Sequence, residues 1–254
     1  MIFATFIFAA MLRYESILTK YDKPVFQSGA SRYELYAEGD VGGGRKVVVY
    51  GFTPVRRGSS PDIDHQIFVT MIGRKGDAYE LVSGRRDVTD SVFNIGERGR
   101  FTDFRARVNV FTLRKGYYVD VQLWSSIGGT GGISSANDVI YRIARDGALV
   151  IAAKLDVTEE FSRNGWREIR ETSSNLAVGE NSLVWTKKER LGSRDKAETP
   201  FHVNCQTTRT TYRPHGRSLV AEPPAAATKD KLTPLGRVPL KEIVPCCSGC
   251  ELKE

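Results

Sequence analysis

No apolar run in this chain approaches the roughly 20 residues that a membrane-spanning helix needs. The longest, Met1 to Leu12, has twelve. Cysteine is scarce: there are four in 254 residues, and Cys246, Cys247 and Cys250 crowd the end. So few exclude a scaffold built on disulfides. Histidine is scarcer, with only His65, His202 and His215. None stands in a recognisable catalytic frame and no G-x-S-x-G elbow occurs, so nucleophilic hydrolysis has little support. Blocks of one charge are missing too. The net charge is +7 with a pI near 9.2, yet the basic residues come as pairs such as Arg56-Arg57, Arg85-Arg86 and Lys187-Lys188. That spacing marks a solvated charged surface, and nucleic acid is not the expected partner.

What is present is period-two alternation, centred on Phe104 to Trp124. Phe104, Ala106, Val108 and Val110 alternate with polar residues, and Tyr117, Val119, Val121 and Leu123 do the same after Arg114-Lys115-Gly116. Each arm is a strand buried on one face, and the two form a β-hairpin. A three-residue loop closed by Gly116 would set Asn109 against Val121 and split the apolar faces. An even loop of two or four residues keeps them together, and the preferred register pairs Val110 with Val121, Val108 with Leu123 and Thr112 with Val119. Burial worth about 1.5 to 3 kcal/mol per side chain outweighs any turn preference.

Further hairpins follow the same logic. Ile67 to Ile72 and Asp77 to Val82 flank Gly73-Arg74-Lys75-Gly76, and Asp138 to Ile143 meets Leu149 to Leu155 across Asp146-Gly147. A three-residue loop there sets Ile143 opposite Leu149. Arg167 to Val178 pairs with Ser182 to Leu191, and a strand from Phe201 through Arg213 turns at Pro214-His215-Gly216 and returns at Ser218 to Val220. By its parity with Phe201 and Val203, Cys205 is expected to point into the core. The glycines of Gly39 to Gly44 precede a strand and lack a following G-K-[ST], so they make a turn and not a phosphate loop. Pro61-Asp62-Ile63-Asp64-His65 lacks the remaining ligands of a calcium loop and reads as a polar turn.

The Gly128 to Gly132 loop, the strand ending in Tyr141-Arg142, the Asp146-Gly147 turn and the echo in Thr211-Tyr212-Arg213 with Gly216 carry a resemblance. In these the chain resembles uncharacterised exported bacterial β-meander proteins. The resemblance implies export and a β-meander, and it carries no catalytic residue across.

The ends differ from the middle. Met1 to Leu12 has the length of a signal-peptide apolar region, although no Lys or Arg precedes it. An amphipathic first helix is the other reading. After Ala221 the composition shifts, with five of the ten prolines in what remains. This reads as a disordered or loosely docked tail. Cys246-Cys247-Ser248-Gly249-Cys250 contains the C-x-x-C spacing of zinc or thiol-exchange sites, but a structural zinc wants four ligands and a redox pair wants a helix start after a strand.

The expectation is an all-β protein, an antiparallel hairpin meander of partial-propeller, sandwich or open-barrel form. Its segments are 1–23 (signal-like or helical), 24–221 (β domain) and 222–254 (tail). Function is expected to be non-enzymatic: an exported, basic, monomeric protein without cofactor that binds a protein or an anionic envelope polymer, with a cytoplasmic location as the alternative. Trp124, Gly128, Gly129, Thr130, Gly131 and Gly132 are the candidate contact residues, and Cys246, Cys247 and Cys250 the candidate metal or redox residues. The alternative from another class is a hydrolase with acidic residues in a β cleft.

Overall fold

The computed structural model describes residues 31–54, 66–76, 78–82, 86–87, 101–127, 133–164, 168–193, 201–222, 231–236 and 251–252. Among them every regular element is a strand. The first group is β1 (Ser31–Gly42), β2 (Arg45–Pro54), β3 (Gln66–Lys75), β4 (Ala78–Leu81) and β5 (Arg86–Asp87). The second is β6 (Phe101–Leu113), β7 (Gly116–Ile127), β8 (Ile133–Ile143), β9 (Leu149–Asn164), β10 (Glu168–Val178), β11 (Leu183–Ser193), β12 (Phe201–His215), β13 (Ser218–Ala221), β14 (Thr233–Pro234) and β15 (Glu251–Leu252). All the registered pairs are antiparallel, and strands adjacent in sequence are mostly adjacent in the sheet. The expected meander is therefore present, in two sheets and without closure into a barrel. The N-terminal apolar segment and the Pro61–His65 turn lie outside the described residues.

The chain divides into two compact units, 1–100 with 143–149 and 101–142 with 150–254. Unit 1 holds the β1-β2-β3-β4 sheet, with β5 on β3. Val48, Tyr50, Phe68 and Ile72 form a core on one face, where the Tyr50 and Phe68 rings stack with centroids 5.4 Å apart. Val47, Val49, Val69 and Met71 are equally buried on the other face. β3 runs further than its apolar residues, to Lys75, so the turn falls at Gly76 and not over Gly73 to Gly76. The 143–149 turn also belongs to this unit. Ala144 N–H donates to Ala148 O at 2.9 Å across a three-residue loop closed by Gly147 at φ 85°, which is the geometry that the Asp-Gly pair predicts.

Unit 2 is built from the second sheet, in the order β13-β12-β11-β10-β9-β8-β7-β6. One core cluster draws Phe111 and Leu113 from β6, Tyr118 from β7, Ile140 from β8, Leu155 from β9, Leu176 from β10, Leu183 from β11 and Leu219 from β13. Both ends of the sheet contribute, so the sheet curls over its own inner face. β9 makes the bend. Its 16 residues reach β8 at one end and pair Glu160–Asn164 with β10 at the other. A strand that passes from one layer to the next is how orthogonal sheet corners are turned. Where β9 leaves β10, β14 takes its place: Ala177 pairs with Pro234, and Leu235 N–H donates to Leu176 O at 2.8 Å. Residues 231–236, part of the Pro-rich 222–254 stretch, thus lie along the sheet.

The central hairpin has the predicted parity but a different register. Val110 pairs with Val119, Val108 with Val121 and Ala106 with Leu123, two residues from the preferred pairing. Both registers keep the apolar sets together; the turn decides between them. Arg114 and Lys115 adopt φ of 44° and 64°, a two-residue type I′ turn whose twist matches the strands. Neither residue favours that region. Arg114→Asn with Lys115→Gly is therefore expected to stabilise the protein by about 1 kcal/mol and to raise its melting temperature by roughly 2 to 4 °C. Differential scanning calorimetry of the double variant checks this; an unchanged or lower melting temperature contradicts it.

Candidate functional site

β6, β7 and β8 present two unlike faces. Val119, Val121 and Leu123 lie on one side of β7, and Tyr118, Asp120, Gln122 and Trp124 on the other, and all seven are buried. By register the second side carries a polar ladder: Asn109 faces Asp120, Arg107 faces Gln122, Gln122 faces Asp138, and Arg105 faces Trp124. Asn109 Nδ2 donates to Asp120 Oδ2 at 3.0 Å and to Gly236 O at 2.9 Å. A side-chain amide on β6, the last strand of the sheet, therefore holds the 231–236 segment in place. Asp120 and Gln122 are 0% exposed and Asp138 1%. A carboxylate sealed from solvent meets no substrate, so this ladder is a buried polar network that fixes register and docking.

The sequence-predicted contact residues separate at this point. Trp124 is 9% exposed, its Nε1 has no hydrogen-bond partner among the described residues, and the Arg105 guanidinium lies over its ring at 5.1 Å. A cation on the π face occupies the surface that a stacking ligand would use. Gly128, Gly129, Thr130, Gly131 and Gly132 lie outside the described residues, as do Cys246, Cys247 and Cys250. No group of three or more His, Cys, Asp or Glu able to hold a metal occurs among the described residues. Nearby, burial pushes the Tyr118 hydroxyl above its ordinary value of 10.0, and Arg142 pulls it partly back. The unfolded chain then ionises first as pH rises past 10, and stability falls there.

The other half of unit 2 carries an exposed site that sequence reading did not single out. Across β10, β11 and β12 the register aligns Ser173 with Lys188 and Thr207, and Asn175 with Thr186 and Arg209. These six side chains share the face turned away from Leu176 and Leu183, because alternate residues of those strands pack into the core. Asn175, Lys188, Thr207 and Arg209 are exposed, and Ser173 and Thr186 half-buried. None of the six is acidic. Lys187, one residue along, points to the opposite face and pairs with Glu189 at 2.7 Å. Neither Lys188 nor Arg209 has an ion-pair partner among the described residues. Two cations thus occupy diagonal positions on adjacent strands, positions that lie about 7 to 8 Å apart in such sheets, among hydroxyls and an amide. Such a surface can give charge-assisted hydrogen bonds to carboxylate, sulfate or phosphate groups. The sequence signal was the Thr207-Thr208-Arg209-Thr210-Thr211 run against Lys187-Lys188, unreadable without the register that brings the two strands side by side.

Cys205 sits on this same outer face, opposite Arg190. It is half-buried and disulfide-bonded. The expectation that it points into the core is corrected: even-numbered residues of β12, Tyr212 among them, face the cluster. The apolar alternation behind the expectation rested on three residues at the strand's start, while polar residues populate both faces of its middle.

A scan against protein-family models finds no match, and a search of curated proteins finds no relative. The two antiparallel sheets define the chain as an all-β protein.

Proposed function

We propose that the protein is a non-enzymatic binding protein that engages an anionic polymer of the cell envelope through the outer face of β10, β11 and β12. The observation that carries this reading is the diagonal placement of Lys188 and Arg209 on adjacent strands, on an exposed sheet face where six register-aligned side chains include no carboxylate. The net charge of +7 adds a long-range attraction of the same sign. The Cys205 disulfide supports an exported location, since such bonds persist in oxidising compartments. The hydrolase reading would rest on paired carboxylates such as Glu159-Glu160 or Glu168 with Glu171, whose side chains lie outside the described ones.

The test is binding to polygalacturonate, with neutral dextran as control, by isothermal titration at low and moderate salt. The expected result is measurable affinity for the polyanion that falls as salt rises, no binding to dextran, and no release of reducing ends. Salt-independent binding to both polymers, or turnover of either, overturns the proposal.

A further inference from the structure

We propose that the β6–β7 turn is a contact site for an anionic phospholipid bilayer, with Arg114 and Lys115 on the headgroup charges and Tyr117 beside them at headgroup level. The turn holds its two cations in an unfavourable place. Arg114 and Lys115 adopt φ of 44° and 64°, where Asn and Gly are at ease and an Arg-Lys pair is not. Both are exposed, and neither has an ion-pair partner among the described residues. Non-glycine residues kept in this region mark places where the backbone serves function at some expense of stability, and here the groups displayed are two positive charges.

The surroundings make the turn rigid and positive. Arg114 N–H donates to Glu180 O at 3.2 Å, which ties it to the turn between β10 and β11. Arg142 of β8, opposite Tyr118 in β7, donates from Nη1 to Gly216 O and so brings the β12–β13 turn to the same end of unit 2. These three turns carry Arg114, Lys115 and Arg217 against Glu180 alone. Tyr117 is 49% exposed, whereas Val119 and Val121, on the same side of β7, are fully buried. An exposed ring with a polar tip next to cations has the chemistry of groups that sit at a membrane–water interface. A bilayer offers negative charge over a broad plane, which the tied turns can meet together, and it takes up the Tyr117 ring, which a soluble polyanion in water does not. The site goes beyond the polymer reading and uses other residues, since Lys188 and Arg209 take no part in it.

The experiment is co-sedimentation of the full chain with vesicles of mixed phosphatidylcholine and phosphatidylglycerol, against vesicles of phosphatidylcholine alone. The protein is expected to bind the mixed vesicles, less so as salt rises, and to leave the neutral ones in solution. Arg114→Asn with Lys115→Gly, the variant expected to be the more stable, should bind the mixed vesicles roughly tenfold or more weakly. Lys154→Gln with Lys231→Gln removes the same charge from two exposed positions elsewhere in unit 2 and should lose only a fraction of that. Tyr117→Ser, which leaves the charge unchanged, should bind several-fold more weakly with the circular dichroism of the wild type. Failure of the wild type to bind mixed vesicles, or equal losses in the two double variants, overturns the proposal. An unaffected Tyr117→Ser protein overturns the bilayer as the partner. Loss of vesicle binding in Arg114→Asn with Lys115→Gly, at a polygalacturonate affinity no lower than that of the Lys154→Gln, Lys231→Gln control, separates this surface from the polymer site and supports it.

Discussion

Val121→Asp is expected to leave no folded unit 2. Val121 is 0% exposed in the middle of β7, between Val108 of β6 and Val139 of β8. The substitution removes about 1.5 to 3 kcal/mol of apolar burial. It also places a carboxylate among apolar neighbours, which costs several kcal/mol more whether the group stays charged or takes up a proton. Relocation offers no escape. A shift of one residue along β7 would carry the new Asp to a face that is buried as well and turn Asp120 and Gln122 into the apolar side. Against a total stability of about 5 to 15 kcal/mol, the sum takes most or all of the margin. Circular dichroism and urea titration check it, with Val121→Ala as the milder companion, expected to cost about 2 to 3 kcal/mol and to stay folded. A Val121→Asp protein with the wild-type urea midpoint would mean that β7 is not buried on both faces.

The second large effect is at Gly147. Its φ of 85° lies in the left-handed region, where a side chain costs roughly 1 to 2 kcal/mol. A Cβ there would also collide with the Val82 side chain and come within 3.0 Å of Met71 Cε, adding an overpacking cost of about 1 to 3 kcal/mol. Gly147→Ala is thus expected to destabilise the protein by roughly 2 to 5 kcal/mol. Gly216 separates the two causes. It has φ 60° with nothing within 4 Å of an added Cβ, so Gly216→Ala should show the backbone cost alone, about 1 to 2 kcal/mol. Equal losses at the two glycines, measured by chemical denaturation, would mean that the contacts of Gly147 contribute nothing.

The contrast between these sites tracks what the sequence made legible. Hairpins written as apolar alternation plus a Gly turn were readable, because the period of two and the turn residues act over a few positions. The Asp146-Gly147 turn is such a case, and its loop length follows from the Gly alone. The central hairpin was half readable: its faces follow from Val108, Val110, Val119 and Val121, whereas Arg114 and Lys115 give no local sign of a positive φ. β9 was read only as far as Leu155 because the residues beyond it are polar on both parities, and its bend depends on partners distant in sequence. The docking of residues 231–236 depends on Asn109 reaching Gly236, a contact no local pattern announces. The candidate site was hidden for the same reason. Lys188 and Arg209 are ordinary surface cations until the β11–β12 register sets them at diagonal positions on adjacent strands.

Location, not net charge, is the central claim, and a pair of charge-matched variants tests it most directly. Lys188→Glu with Arg209→Glu changes the outer face of β11 and β12, while Lys154→Glu with Arg217→Glu changes two exposed cations elsewhere in unit 2 by the same total charge. Affinity for polygalacturonate at fixed salt is predicted to fall about tenfold or more in the first variant, a loss of roughly 1.4 kcal/mol. The second should lose a fraction of that, through weakened long-range attraction alone. Equal losses in both, or none in the first, would contradict the assignment of the site.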